Sequence, residues 1–295
     1  MDIRVAALSL ILLTGCSVTA ADAVWRVGPA RLLKTVAAAA QQAPSGAVIE
    51  VDAGDYAGDV AVWMRDDVTI RAVGGRARML ADGASAEGKG TWVVRAERMV
   101  VEGFDFIGAR VRDGNGAGIR FDRGSLTVRD CRFLDNEMGL LTGNDPRAVL
   151  EIERSEFAHN RRPGRYTHQL YVGAIARLSV TGSYFHHGQS GHLLKSRAAV
   201  NHVFYNRLTD EAGGTSSYEL EFPNGGRAYV IGNIVQQGAA TENRVVVAYG
   251  AEGYRWTRNA LVLGHNTLDD GSSLGGSTCG CGPVRRSTSA WSTMF

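Results

Sequence analysis

The chain is poor in proline and cysteine, and its net charge is close to zero. Six prolines and four cysteines in 295 residues exclude a proline-rich linker protein and a disulfide-dense secreted scaffold. Lys plus Arg number 32 against 30 Asp plus Glu, a formal net charge of +2, so no strong field exists to gather nucleic acid or a membrane surface. Past the N-terminus no apolar run is long enough to cross a bilayer. Helix-length periodicity is also missing between residues 58 and 270. Glycine, in contrast, is abundant at 37, while hydrophobic residues at 44% and charged residues at 21% are ordinary for one globular domain.

What the chain does have is a segment that returns seven times. It reads MVVEGFDF at 99–106, LTVRDCRF at 126–133, LEIERSEF at 150–157 and LSVTGSYF at 178–185. It continues as NHVFYNRL at 201–208, AYVIGNIV at 228–235 and LVLGHNTL at 261–268. The third position is always aliphatic, from Val101 to Leu263, and the eighth is always large and apolar. Successive eighth positions lie 23 to 33 residues apart, a period that marks a solenoid. Each unit is too small to bury its own apolar face, so units must stack. Leucine-rich repeats share this length. Here the alternation has period two, the signature of a strand, with Val, Ile, Phe, Tyr and Thr enriched. Gly and Asn mark the corners, which reads as a parallel β-helix. Asn206, Asn233 and Asn266 share the sixth position, where stacked Asn side chains bond along the column and the residue tolerates left-handed backbone. Phe106, Phe133, Phe157 and Phe185 would form an aromatic column inside.

Residues 1–23 have the form of an export signal. The apolar run 5–13 is of signal-core length and leads into Leu13-Thr-Gly-Cys16, which resembles a bacterial lipobox with Cys16 as the acylated residue. Small residues at 21–23 offer ordinary cleavage after Ala23 instead. Both readings take the mature chain out of the cytoplasm, to the cell envelope (outer-membrane lipoprotein or periplasm) or into the medium. Membrane contact is then through the lipid alone. Cys131 reads as a small core residue, and Cys279 and Cys281 are too close in sequence for an easy mutual disulfide. No metal ligands are assigned.

The remaining chain divides into 24–57, a helical cap (29–43, alanine-rich) with a first strand; 58–270, the coils; and 271–295, a disordered or incomplete C-terminal cap. The order of helix, VIEVDAGDY strand (48–56) and Val/Gly/Asn/Phe rungs resembles the pectate-lyase-like right-handed β-helix superfamily over roughly residues 30–270. The fold class expected is therefore all-β: a single-stranded, right-handed parallel β-helix, a pectin-lyase-like solenoid with an N-terminal capping helix. The resemblance implies an extracellular carbohydrate-active protein with a polysaccharide partner, acting as a monomer; fold alone does not fix the activity.

Short strands near 118–122, 139–143, 169–173, 192–196, 218–222 and 244–248 would stack into another sheet. Its outer face gathers His168, Tyr171, His187, His192, Lys195, Glu219 and Glu221, beside a loop bearing Arg161, Arg162 and Arg165. Such a concentration on a solenoid face is a candidate groove. Residues 191–197 (GHLLKSR), with Asn201 and Tyr205-Asn206, are similar to the Lys-Ser stretch of polysaccharide lyase family six, the alginate lyases and chondroitinase B. The resemblance implies Lys195 as base and an Arg one rung later as acid. Residues 220–226 (LEFPNGG) carry no Arg, which leaves Tyr171, His187 or His192 for the acid. The three loop arginines and His168 would hold the uronate carboxylate, whose neutralisation lowers the cost of a carbanion-like state. His186 and His187 read equally as turn residues. Glu219 and Glu221, two apart on one strand, offer a glycoside-hydrolase pair, a Ca2+ site, or structural pairing with Lys195 and Arg197. A non-catalytic glycan-binding or envelope protein is the remaining class. No cofactor is required by the sequence; loops 113–116 (DGNG) and 142–145 (TGND) have the look of Ca2+ loops.

Overall fold

The computed structural model describes residues 24–241, 243–272 and 277–281. Cys16, Ala23 and the export segment lie outside the described residues. No helix among the described residues is long and apolar enough to cross a membrane.

The repeated segments form a 17-stranded sheet, and the shorter strands between them form a nine-stranded sheet. A typical rung runs Ser125–Arg129, bends, continues as Arg132–Leu134, turns, and crosses to Met138–Thr142. Strands pair in parallel with the rung above and below. Register follows the repeat: Val101 pairs with Val128, Val128 with Ile152, Ile152 with Val180, Val180 with Val203, Val203 with Val230 and Val230 with Leu263. A slip of one residue would turn these side chains to solvent. Phe106, Phe133, Phe157 and Phe185 are fully buried, and their rings stack at 5.2, 4.6 and 4.7 Å. Each buried ring contributes about 1.5–3 kcal/mol of hydrophobic stabilisation, with a further offset-stacking increment.

The sixth-position column is a hydrogen-bond ladder. The Ser183 N–H donates to Asn206 Oδ1, Asn206 N–H to Asn233 Oδ1 and Asn233 N–H to Asn266 Oδ1, at 2.9, 2.8 and 2.9 Å. The left-handed backbone falls one residue earlier than the spacing suggests, on Asp130, Arg154, Tyr205 and His265 and on Gly103, Gly182 and Gly232. The Asn side chains do the bonding while the preceding residue makes the bend. A second ladder, of mixed residues and irregular spacing, lies at the corner leading into the nine-stranded sheet. Asn136 Nδ2 donates to Asn160 Oδ1 at 2.9 Å, and Asn160 Nδ2 to Gln169 Oε1 at 2.5 Å.

The cap helix is shorter than the alanine pattern suggests, Val36–Gln42 rather than 29–43. Thr35 Oγ1 accepts from Ala38 N–H, and the Asp59 carboxylate accepts from Val36 and Ala37 N–H at 2.6 and 2.8 Å; these fix the first turn. Pro44 stops the helix. Val36, Ala39 and Ala40 are buried over the end of the core. Residues ahead of the helix instead form the strand Val24–Val27, which pairs with the first rung. At the other end the nine-stranded sheet continues past Gly271: Ser277–Cys281 pairs with Val245–Tyr249.

Candidate functional site

Register on the nine-stranded sheet brings Arg120, Leu141, Tyr171, Lys195, Glu221 and Ala248 into one column on its outer face. Adjacent rungs are about 4.8 Å apart, so neighbours in this column touch. Beside it runs a ring column, with His168 4.7 Å from His192 and His192 5.0 Å from Tyr218, while His168 stacks on Tyr171 at 5.3 Å. The turns entering the strands pack closely because Gly191 lacks a side chain: a Cβ there would fall 1.5 Å from Thr167 O.

The titratable groups form one connected network. Glu221 Oε2 lies 2.7 Å from Lys195 Nζ and 3.0 Å from His192 Nε2. Lys195 Nζ also donates to Glu252 Oε1 at 3.1 Å. Arg197 Nη1 donates to Glu252 Oε2 at 2.6 Å and Nη2 to Glu252 Oε1 at 2.9 Å, while Nη1 reaches Asn224 Oδ1 at 2.6 Å. Arg197 Nε–H donates to the Tyr171 hydroxyl at 2.9 Å. Lys195, Glu221, His192 and His168 are each less than a tenth exposed.

Protonation follows from these contacts. His168 Nδ1 accepts from His192 N–H at 3.0 Å; burial, and then the charges of His192 and Lys195, hold His168 well below its ordinary pKa. It is a neutral ring with its proton on Nε2. His192 Nδ1 accepts from Tyr218 N–H at 3.3 Å, so Nε2 carries the proton facing Glu221. Burial works against charge on Glu221, but His192 and Lys195 outweigh it, and the carboxyl lies below its usual value. The hydrogen bonds from Arg197, ahead of those from Lys195, hold Glu252 down to about 2.

The sequence-derived residues divide into two groups. Tyr171, Lys195, His192, Glu221 and His168 come together. Glu219 does not share their face: it is fully buried, its carboxylate beside the Gln237 amide and with no well-formed hydrogen bond among the described residues, and its charge neighbours are Asp210 and Asp270 rather than His192 and Lys195. The chain turns its corner just ahead of Leu220–Phe222, so a two-residue spacing no longer means one face. His187 lies on the preceding corner against His159 and His186. Arg162 is a strap rather than a free clamp, donating to the buried Glu137 at 2.5 Å and to Val111 O at 3.0 Å. Arg161 and Arg165 are exposed on the same loop. In the 142–145 loop, Thr142 Oγ1 and Asn144 Oδ1 accept from the backbone of Gly173 and Ala174, so these oxygens hold the next rung.

Glu252, Asn224 and Tyr218 were not singled out by sequence. Glu252 is 57 residues from Lys195 and arrives on a loop that folds back over the preceding rung through Glu252 N–H to Pro223 O and Arg255 N–H to Asn224 O. Trp256 Nε1 donates to Arg197 O at 3.1 Å and anchors that loop. The one available signal was the cluster of Tyr and Trp at 249–256, between the sixth and seventh copies of the repeat.

No protein-family profile and no curated protein sequence matches the chain. Solved structures do. A pectate lyase, Pel9A, superposes with TM-score 0.54 at 12% identity, over 92% of this chain and 80% of its own. A pectin methylesterase from Aspergillus niger gives 0.52 at 10% identity, over 90% and 91%.

The fold is a right-handed parallel β-helix of the pectate-lyase type. The Tyr171–Lys195–Glu221 column runs across successive rungs on the outer face of its nine-stranded sheet.

Proposed function

We propose that the protein is an exported, carbohydrate-active β-helix protein that binds a uronate-containing polysaccharide along the nine-stranded sheet and cleaves it by β-elimination. One observation carries the reading: Arg197 and Lys195 form a cradle that already holds a carboxylate, that of Glu252, with a bidentate guanidinium contact, while Asn224 Oδ1 accepts from Arg197 Nη1 and steadies it. A uronate carboxylate presents the same two oxygens. It takes the place of Glu252, whose side chain is 44% exposed on its loop.

Lys195 faces two carboxylates, so its role in this reading is to neutralise the bound uronate rather than to act as the base. Tyr171 is the proton-transfer group. Its oxygen accepts from Arg197 Nε–H, which supports negative charge on that oxygen. Once the phenol proton has passed to solvent, the Tyr171 oxygen takes the proton at C5, the electron pair forms the C4–C5 double bond, the C4–O bond breaks, and the same oxygen returns that proton to the departing oxygen. The stacked His168 ring holds Tyr171 in place. Glu219 and Glu221 do not share the groove, which argues against that pair as the two carboxylates of a glycoside hydrolase.

A second reading, non-catalytic glycan binding, is favoured by the mutual pairing of Lys195, Glu221 and His192. The fold neighbours are named for pectate and pectin, so polygalacturonate leads the panel to be tested. The full chain is incubated with polyuronates while ultraviolet absorbance of unsaturated product, reducing ends and binding are followed together. Absorbance with reducing ends supports elimination; binding without either supports the second reading; no binding to any polyuronate overturns both.

A further inference from the structure

Three histidines outside the groove meet at one corner of the solenoid. His159 and His187 follow Ala158 and His186, which pair in register on successive rungs. Both take left-handed backbone, with φ of 57° and 50°. Their rings stack at 4.4 Å, and His186, buried at the end of strand Tyr184–His186, completes the group. One ligand nitrogen from each of the three lies within 4.8 Å of the others. His186 Nδ1 is 2.5 Å from His187 Nδ1. Two ring nitrogens this close share a proton, or, once the rings part to the roughly 3.3 Å that separates two ligands of a tetrahedral ion, a cation.

The second nitrogen of His186 bears on that choice. Nε2 lies 3.2 Å from Glu156 Oε1, and Glu156 is held in turn by Arg132 at 3.3 Å. The Nε2 proton points at this carboxylate, so Nδ1 presents a lone pair to the cluster. A carboxylate behind a histidine whose other nitrogen faces a cation is the usual outer support of a metal-bound imidazole. Tyr184 stacks on the His186 ring at 4.1 Å and fixes its plane. The other charge facing the cluster is Asp210, on the next rung beside His187.

We propose that His159, His186 and His187 bind a divalent transition cation, with zinc as the first candidate. Three imidazole nitrogens suit zinc, copper or nickel and not calcium or magnesium, whose ligands are oxygens. Three protein ligands leave a fourth position open to water or to a solvent-borne ligand. The cation joins two successive rungs at the corner. This assignment takes His187 out of the sugar chemistry and does not depend on the glycan reading.

The test is equilibrium dialysis of the untagged full chain against zinc, with calcium as control, in a Cys279→Ser/Cys281→Ser background because those thiols are a separate soft-ligand pair. One equivalent of zinc should be taken up, with no calcium at the same concentration. Glu156→Gln should weaken binding roughly 10–100-fold, and His159→Ala and His187→Ala should each weaken it further. Circular dichroism checks that the variants remain folded; His186 is left in place because its ring is buried against Tyr184. Cobalt substitution should give the intense visible bands of a tetrahedral site, lost in His187→Ala. No stoichiometric zinc uptake, or uptake unchanged in the His159→Ala/His187→Ala double variant, would overturn the proposal.

Discussion

Arg197 clasps Glu252 with both arms of its guanidinium, Nη1 to Oε2 at 2.6 Å and Nη2 to Oε1 at 2.9 Å. The two residues are 55 apart in sequence. The pair joins the strand that carries Lys195 to the loop that covers it, and it occupies the carboxylate subsite of the proposed function.

Removing that internal carboxylate should expose the cradle. Glu252→Ala is expected to bind polygalacturonate about tenfold more tightly, or 1.4 kcal/mol, by calorimetry at low salt. Unchanged or weaker binding would count against Arg197 and Lys195 as the uronate subsite. The clasp also has an acid limit. Glu252 is depressed to about 2 in the folded chain, so its contribution to stability is present above the ordinary carboxylate value and lost as pH falls toward 2. The difference in melting temperature between wild type and Glu252→Ala should therefore shrink over that window. It should be small throughout, because the side chain is partly exposed.

Tyr171→Phe removes one oxygen and keeps the ring that packs on His168. Formation of unsaturated product should fall by roughly 100-fold or more, while polyuronate binding stays close to wild type. An intact rate would remove Tyr171 from the chemistry and return the role to His192.

Asn233→Ala cuts the ladder at its centre. Asn206 N–H loses its acceptor and Val203 O its donor, both in the buried column. Each orphaned buried group costs about 1–3 kcal/mol, so urea denaturation should show a midpoint far below wild type. A change under about 0.5 kcal/mol, the range of a surface substitution, would mean that the column is not a structural ladder.

Glu219 gives a pH-dependent prediction of opposite sign. Burial, and secondarily Asp210, push its carboxyl well above the ordinary range. A raised folded pKa means full stability below the unfolded value and a loss that grows as pH rises through the folded one. The slope between those two values is about 1.4 kcal/mol for each step of one in pH. Glu219→Gln should raise the melting temperature at pH 8 and leave it nearly unchanged at pH 4. A variant less stable at both pH values would show that the ionised carboxylate has a partner.

The export reading has a direct check. Cys16→Ala should abolish fatty-acid labelling in a bacterial host. Label retained in the variant would exclude Cys16, and an unlabelled wild type with a mature N-terminus at Val24 would establish ordinary cleavage.

Much of the fold was legible because a parallel β-helix repeats the same interaction on every rung. Val101 to Leu263 and Phe106 to Phe185 recur at matching places in the chain and stack in space in that order. The polar column of Asn206, Asn233 and Asn266 was legible for the same reason, although the bend belongs to the residue before each. The Asn136–Asn160–Gln169 ladder was not, since its members are neither alike nor evenly spaced.

The site was half legible. Tyr171, Lys195 and Glu221 occupy equivalent positions of successive short strands, so counting along the repeat places them together. Glu219 failed because a corner interrupts the period-two alternation, and Arg162 because its partner, Glu137, belongs to another rung.

By itself, then, the sequence determined the solenoid, its register and one outward column, since each depends on periodic apolar burial and periodicity is a property of the chain. The tertiary structure decided the rest. It set which charge meets which: Arg197 with Glu252, Lys195 between Glu221 and Glu252, and His186 between Glu156 and His187. These contacts are made by loops and corners, where no repeat operates, and their energies depend on distances of a few ångströms between groups distant in sequence.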